Sequence, residues 1–389
     1  MVSIGFVYFC SVIKNNYELQ NDGTMKNILS KRTFIVLPLF LFSLHPLWGQ
    51  KSNFKNDICI PGKLYMLSDI RNDVFVEALI KRWRPYNDFV RFSGDCVYSR
   101  ELNRVASVDT PVDGSNMKIE LVNSDEFEII KEKAISICVG KKGIGTQEVT
   151  VQILGDSFVN GAFFRDALLS KNYIPGIKLV GLRNIKNEEG QYDEGRGGWT
   201  VKKYFEIPKG EMTSYHGYMQ PVGEYRYWGS CEFWKNCYKV INGELTDTEI
   251  VYNCGRYDQC ITKFDKETGY LAAPKKNDLM YDNARGSYMV YTEKKWKNVE
   301  VDERKWAFNY RKYLDMWNLD APKFFAQMLG LNDYRDSLTA DYREWNKKIA
   351  EMKESYYKAV PDGKFIILIP CTTCGSLNNI RGDFTLRQN

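Results

Sequence analysis

The tripeptide Gly155-Asp156-Ser157 places a possible nucleophile between two predicted elements. The alternating apolar residues of Glu148–Leu154 predict a strand, and the residues after Ser157 predict a helix to about Leu169. A serine between them would lie at the carboxyl edge of a parallel sheet, where α/β proteins bind ligands. The free N–H groups of the helix could then stabilise an oxyanion on an attacked carbonyl. A helix N-cap is the alternative role for this serine.

Two later segments could supply further oxyanion donors. Glu194–Thr200, with the sequence EGRGGWT, follows the second predicted strand, and its glycines could turn bare N–H groups towards Ser157. Gly330–Asp333, with the sequence GLND, directly follows the predicted strand Phe324–Leu329. The Asn332 side chain could aim its amide at the same oxyanion. A glycine turn and a helix cap are the alternative roles of these two segments.

The order GDS, GGWT and GLND resembles blocks I, II and III of the SGNH hydrolase family, over residues 148–389. The resemblance implies that Ser157 attacks an ester. It also implies that the oxyanion is held by the N–H groups of Ser157 and Gly198 and by the side chain of Asn332. We select Gly198 because GGWT is similar to the family's usual Gly-x-Thr ending, and Gly195 is the alternative glycine.

The fold implied by the resemblance is α/β, a flavodoxin-like three-layer SGNH hydrolase domain. Asp156 and Asp333 adjoin the matched serine and asparagine, and we expect them to support the site. The resemblance implies neither a cofactor nor a metal ion. The β-rich N-terminal part and the cysteine-bearing insertion described below also resemble a secreted bacterial subgroup of the family.

The fourth block of the family is a D-x-x-H segment after the last sheet strand, whose histidine removes the serine proton. The chain has 2 histidines and no D-x-x-H segment. His45 lies in the predicted leader, and His216 lies far from the last predicted strand, Phe365–Ile369. We therefore expect the hydrolase domain to be C-terminally incomplete and ester hydrolysis to be weak or absent. Loss of a triad member costs on the order of 10^4 to 10^6 in turnover.

The elements that would position these residues fall into two predicted units. Residues 58–145 contain short apolar runs separated by Asn, Asp, Gly and Pro, and they predict a small β-sandwich domain. Residues 148–389 alternate strand and helix patterns, which are typical of an α/β domain. The strand–helix–strand unit over 148–182 favours parallel pairing with a right-handed crossover. Apolar residues at helical spacing predict a helix over 342–356.

An insertion at about 201–318 interrupts the second unit. Aromatic residues over 306–317 fall on one face of a predicted helix, which would dock the insertion on the sheet. The aromatic cluster at 225–234 could build the insertion's own core or offer flat faces to sugar rings. Two disulfides are predicted in the insertion, with a zinc site as the alternative. The cysteines concerned are Cys231, Cys237, Cys254 and Cys260.

Residues 1–49 predict an upstream extension followed by a secretory signal peptide. A basic start at 26–32 precedes the apolar run Phe34–Leu44, and Gly49 precedes a plausible cleavage point. The apolar run is short for a membrane span, and an uncleaved signal anchor is the alternative. We expect a secreted or periplasmic protein with no membrane span after signal cleavage.

The composition narrows the possible partners. The net charge of +5 is spread without a block of like charges, which argues against nucleic acid as a partner. Export and the aromatic insertion favour a carboxylic ester hydrolase that deacetylates carbohydrates. The expected partner is an esterified carbohydrate or another small ester. A lipid esterase and a non-catalytic glycan-binding protein on an SGNH fold are the alternatives.

Overall fold

The structure is a computed structural model. It describes residues 57–58, 60, 62–68, 70–75, 79–81, 88–95, 97–100, 105–123, 126–140, 148–170, 176–184, 192–334 and 342–368. The predicted leader at 1–49 lies outside the described residues. In the part that is described, no helix is long and apolar enough to cross a bilayer.

The described residues between 57 and 140 form three sheets around one core. The strands are β1 (Asp57–Ile58), β2 (Lys63–Leu67), β3 (Asn72–Phe75), β4 (Ile80–Lys81), β5 (Asp88–Gly94), β6 (Val97–Arg100), β7 (Val105–Val108), β8 (Asn116–Asn123) and β9 (Ile129–Gly140). The sheet orders are β2-β9-β8-β5, β3-β7-β6 and β1-β4. Apolar side chains from all three sheets share one hydrophobic cluster. Buried and more exposed residues alternate along β2, as the two-residue period of a strand requires.

The candidate nucleophile follows β10 (Val149–Gly155) directly. Helices α1 (Ser157–Asn160) and α2 (Phe163–Ser170) come next. The prediction of one continuous helix is wrong, because Ala162 between them has φ +65°. A residue in this left-handed conformation cannot continue a right-handed helix. Strands β11 (Ile177–Val180) and β12 (Glu194–Gly195) both pair in parallel with β10, so the predicted parallel pairing is confirmed.

The insertion folds into its own strands and helices. They are a 3₁₀ turn (Lys202–Phe205), β13 (Met219–Pro221), β14 (Arg226–Ser230), α3 (Cys231–Ile241), α4 (Thr248–Cys254), α5 (Asp258–Ile261), β15 (Asp278–Asp282), β16 (Ser287–Tyr291), β17 (Trp296–Val299), a second 3₁₀ turn (Glu303–Lys305), β18 (Trp306–Phe308) and α6 (Tyr310–Trp317). One sheet has the order β14-β15-β16-β17, and β13 pairs with β18. The predicted helix from residue 306 begins only at Tyr310, where the Asn309 side chain caps it.

Two further strands complete the parallel sheet. They are β19 (Phe324–Met328) and β20 (Lys364–Ile367), with helices α7 (Leu331–Tyr334) and α8 (Tyr342–Ala359) between them. The order is β11-β10-β19-β20, with β12 beside β10. Gly155 at the end of β10 is level with Met328 at the end of β19. The turns after β10, β12 and β19 therefore lie at one edge of the sheet.

The two faces of the parallel sheet enter different cores. Val151, Ile153 and Met328 pack in a cluster that helix α2 partly covers. Leu154 and Phe325 on the opposite face join the core of the insertion. The insertion therefore docks on the sheet through its aromatic residues, as one of the two sequence-based interpretations expected.

The predicted fold class is wrong. Among the described residues, 37% lie in strands and 26% in helices, and no flavodoxin-like three-layer pattern describes the chain. Only five of the 20 strands in the described part of the chain belong to the parallel sheet. The prediction extended one strand–helix–strand unit to the whole domain, whereas the insertion and the N-terminal sheets contribute most strands. The protein is of mixed α and β class, and the predicted domain boundaries stay predictions.

Candidate functional site

Three separate segments meet at the carboxyl edge of the parallel sheet. The Asn332 side-chain nitrogen lies 3.1 Å from the Trp199 carbonyl oxygen. The same nitrogen lies 3.4 Å from Oδ2 of Asp156, the residue before Ser157. A bond of 3.4 Å is at the long limit for a hydrogen bond, so one N–H of this amide can turn to another acceptor. The three segments predicted to converge therefore do so.

Ser157 is exposed at this edge. It is the first residue of α1, and its hydroxyl makes no hydrogen bond to a described residue. The N-cap role belongs to Asp156, whose Oδ1 accepts the Phe158 N–H at 3.1 Å. The alternative interpretation of Ser157 as the helix cap is therefore wrong. Because α1 is only four residues long, its dipole contributes less to an oxyanion than the sequence suggested.

The Asp156 carboxyl is buried behind the serine. Burial raises its pKa from 3.8 to about 6, and the nearby Asp333 carboxylate adds to this effect. The hydrogen bond from the Phe158 N–H opposes the shift because it stabilises the charged form. Asp156 thus holds the turn that presents Ser157 and borders the Asn332 amide.

Asp333 ties the loop after β19 to the glycine loop. Its two carboxylate oxygens accept the Val201 N–H at 3.0 and 3.2 Å. Burial raises the pKa of Asp333 above its ordinary value. This contact fixes the relative position of the segments that carry Gly198 and Asn332.

The two candidate glycines have different surroundings. The Gly195 N–H is buried and already donates to Asp193 Oδ1 at 2.9 Å. A Cβ at Gly195 would lie 2.2 Å from the Asn160 nitrogen, so this glycine permits close packing of β12 on α1. Gly198 is exposed at φ +71°, and its N–H makes no hydrogen bond to a described residue. The geometry therefore favours Gly198 as the oxyanion donor.

His216 is not placed to act as a base. It is buried, and its Nε2 lies 2.9 Å from the Glu206 carbonyl oxygen. Its Nδ1 accepts the Tyr218 N–H at 3.2 Å, so Nε2 carries the proton and donates it to the carbonyl. Burial, with the Arg196 charge, lowers the pKa of His216 to about 3. The ring is therefore neutral and has no free lone pair.

The aromatic cluster of the insertion is buried. Four of its members have relative exposures of 6% or less and pack in the insertion core. They are Tyr227, Trp228, Phe233 and Trp234. Of the two interpretations of this cluster, the core role is confirmed and the exposed sugar platform is wrong.

The four cysteines of the insertion are free thiols. Cys237 on α3 and Cys254 on α4 are nevertheless in hydrogen-bonding contact, which raises the pKa of Cys237 further above the level set by burial. In the described part of the chain, no group of three His, Cys, Asp or Glu side chains could hold a metal ion.

Sequence reasoning did not find the arginines next to α1. Arg183 lies at the end of the second predicted strand, and Arg256 lies between α4 and α5. Neither belongs to a recognisable motif, and more than 70 residues of chain separate them. Only the docking of the insertion on the sheet brings both to the Asn160 side chain.

The chain matches no family model and no curated protein.

Proposed function

We propose that the protein is a serine ester hydrolase that removes acyl groups, acetyl above all, from carbohydrates through Ser157. One observation carries this proposal. The Asn332 amide and the loop of Gly198 and Trp199 border the turn that presents an exposed, unbonded serine hydroxyl. A nucleophile flanked by N–H donors is the arrangement that acyl transfer needs.

The proposed chemistry has two steps. The Ser157 oxygen attacks the ester carbonyl carbon and loses its proton to a base, and the carbonyl oxygen becomes an oxyanion. The N–H groups of Ser157 and Gly198 and the Asn332 amide stabilise this oxyanion. The tetrahedral intermediate then expels the alcohol, which takes up the proton. Water releases the acid from the acyl-serine in the second step.

The proposed chemistry needs a base for the Ser157 proton, and His216 is not available for this role. Both ring nitrogens of His216 have other partners, and its proton affinity is low. An unassisted serine hydroxyl is a poor nucleophile at neutral pH. We therefore propose that this 389-residue chain turns esters over very slowly.

Labelling and turnover together test the proposal. A fluorophosphonate should label Ser157 on long incubation, as intact mass and peptide mapping would report. Ser157→Ala should abolish labelling, and Asn332→Ala should slow it by about 100-fold because one oxyanion donor is lost. Ser93→Ala, an exposed serine in β5, is the matched control and should label normally. Release of p-nitrophenol from the acetate ester should be slow and should depend on Ser157.

Two results would count against this mechanism. Labelling that persists in Ser157→Ala would show that Ser157 is not the nucleophile. Fast turnover that His216→Ala abolishes would mean that the insertion supplies the base after rearrangement.

A non-catalytic glycan-binding protein is the second candidate. It is favoured by the bonded, neutral state of His216. Oligosaccharide binding without any labelling of Ser157 would support it over the hydrolase.

A further inference from the structure

Arg256 contacts the last residue of the short helix that begins with the candidate nucleophile. Its Nη1 donates to the Asn160 carbonyl oxygen at 2.6 Å and also to the Asn160 side-chain oxygen. Asn160 ends the short helix that Ser157 begins. Because the two residues are three positions apart (i and i+3), their side chains lie on one side of α1. The guanidinium of Arg256 is thus within one helical turn of the serine.

Tyr252 joins Arg256 to the glycine loop. Its hydroxyl accepts a hydrogen bond from the Asn160 side-chain amide. A Cβ at Gly197 would lie 1.5 Å from the same hydroxyl, so the tyrosine rests directly on the residue before Gly198. The Arg256 guanidinium carbon lies 5.2 Å from the centre of the Tyr252 ring. Arg256 and Tyr252 therefore form a wall that contacts both the end of α1 and the candidate oxyanion loop.

Positive charge accumulates behind this wall. Arg183 is buried and donates to neutral groups, among them the Ser214 hydroxyl at 2.8 Å and the Asn160 side chain at 3.3 Å. Arg165 is also buried and pairs with two carboxylates, Asp166 at 3.3 Å and Asp193 at 3.7 Å. Arg165, Arg183 and Arg256 thus bring three guanidinium groups close to Asn160 and Asp193.

Arg256 carries the accessible part of this charge. It is half-buried, and its Nε and Nη2 donate to no described residue. Burial and the neighbouring charges of Arg183 and Arg165, opposed by Asp193, together lower its pKa to about 10. A guanidinium with free donors in a positive, partly desolvated setting binds an anion strongly.

We propose that Arg256 binds an anionic substituent, a carboxylate or a sulfate, on the carbohydrate whose ester Ser157 attacks. The identity of the ester depends on the hydrolase proposal, whereas the anion-binding role of Arg256 can be measured without turnover. The substrate class is then an acylated acidic carbohydrate.

A titration that varies only the ligand charge tests this inference. Acetylated oligogalacturonate would be compared by calorimetry with the same oligomer after methyl esterification, which removes the charge and keeps the sugars. The acidic form should bind the wild-type chain about tenfold more tightly or better, as expected for a charge-assisted hydrogen bond. Added salt should weaken this preference because it screens the charge.

Variants at Arg256 separate recognition from folding. Arg256→Gln should bind both forms equally, and Arg256→Lys should keep part of the preference because it keeps the charge. Arg304→Gln, an exposed arginine paired with Asp302, is the control and should behave as wild type. If Arg256→Gln fails to fold, the Arg256→Lys variant and the salt dependence of wild-type binding still test whether Arg256 binds the anion. An acetylated, sulfated xylo-oligosaccharide that binds more tightly than its unsulfated form would identify sulfate as the preferred anion.

The two proposals fail in different ways. Equal wild-type affinity for the acidic and methyl-esterified oligomers, together with equal affinity for the sulfated and unsulfated ones, would overturn the anion subsite even if Ser157 is labelled. A charge preference that Arg256→Gln removes would support the subsite even if Ser157 is never labelled, and the hydrolase proposal alone would then fall.

Discussion

At the scale of one residue, the buried Asp156 carboxyl in the candidate site makes the stability of the fold depend on pH. Its pKa in the folded chain is about 6, against an ordinary value of 3.8. Between these two pH values the unfolded chain has lost the proton and the folded chain keeps it. The stability therefore falls as the pH rises from about 4 to 6 and stays lower above that range. The cost at neutral pH is about 3 kcal/mol at most.

Replacing Asp156 by asparagine should remove this cost. Asn keeps a side-chain oxygen that can cap α1, so the turn should survive. Thermal unfolding of Asp156→Asn should show a higher Tm than wild type at pH 8 and little difference at pH 4. An equal shift at both pH values would show that burial of the charge is not the cause.

The two candidate glycines give a second test at this scale. Gly195→Ala should destabilise the fold by more than about 2 kcal/mol, since its Cβ would meet the Asn160 backbone. A Cβ at Gly198 would lie in open space, so Gly198→Ala should lower the free energy of unfolding by only about 1 kcal/mol, because the position has a positive φ. Urea unfolding of both variants measures the difference. Similar losses for the two would contradict the assigned packing role of Gly195.

At the scale of elements, α3 and α4 bring two buried thiols together. The sequence predicts disulfides in this region, and the contact of Cys237 with Cys254 selects one pairing. Cys231 instead lies near Asp282 and Tyr270, and burial together with the Asp282 charge raises its pKa. An oxidising compartment could therefore join the two helices through residues 237 and 254.

Export through an oxidising compartment should yield the Cys237–Cys254 bond. Alkylation before and after reduction, followed by peptide mapping, would detect it. For a loop of this length the bond should raise the free energy of unfolding by about 3 kcal/mol. Cys237→Ala should lose this gain. Cys231→Ala is the control and should leave the bond intact. Cross-links that use Cys231 or Cys260 in the wild-type chain would contradict this pairing.

At the scale of the whole molecule, the insertion and the parallel sheet share a buried polar network. Gln152 in the middle of β10 accepts the Tyr310 hydroxyl at 2.6 Å and donates to the Tyr313 hydroxyl at 3.0 Å. Tyr313 also donates to Glu194 on β12 at 2.6 Å. Because β10 and β12 both lead into site loops, the docking of the insertion positions the site. Loss of either part would leave buried polar groups of this network without partners, which is costly, so the two parts depend on each other.

Local pattern was enough to locate the main strands of the parallel sheet and the candidate serine loop. Alternation predicts β10 to within a residue, and the turn chemistry after β10 and β19 predicts that Ser157 and Asn332 lie just after two strands, which the structure shows to be neighbours. Both signals depend on residues close together in the chain. Pairing then follows, because parallel strands place their carboxyl ends at one edge.

Only the tertiary structure decided the fold class, the roles of the two glycines and the position of Arg256. Strand-rich segments outside the parallel sheet set the class, and no local period reveals how they assemble. The Gly195 N–H is taken by Asp193, and His216 is neutralised by burial. Hydrogen-bond partners and desolvation arise from contacts between segments that are distant in sequence. A short-range sequence pattern therefore cannot predict them.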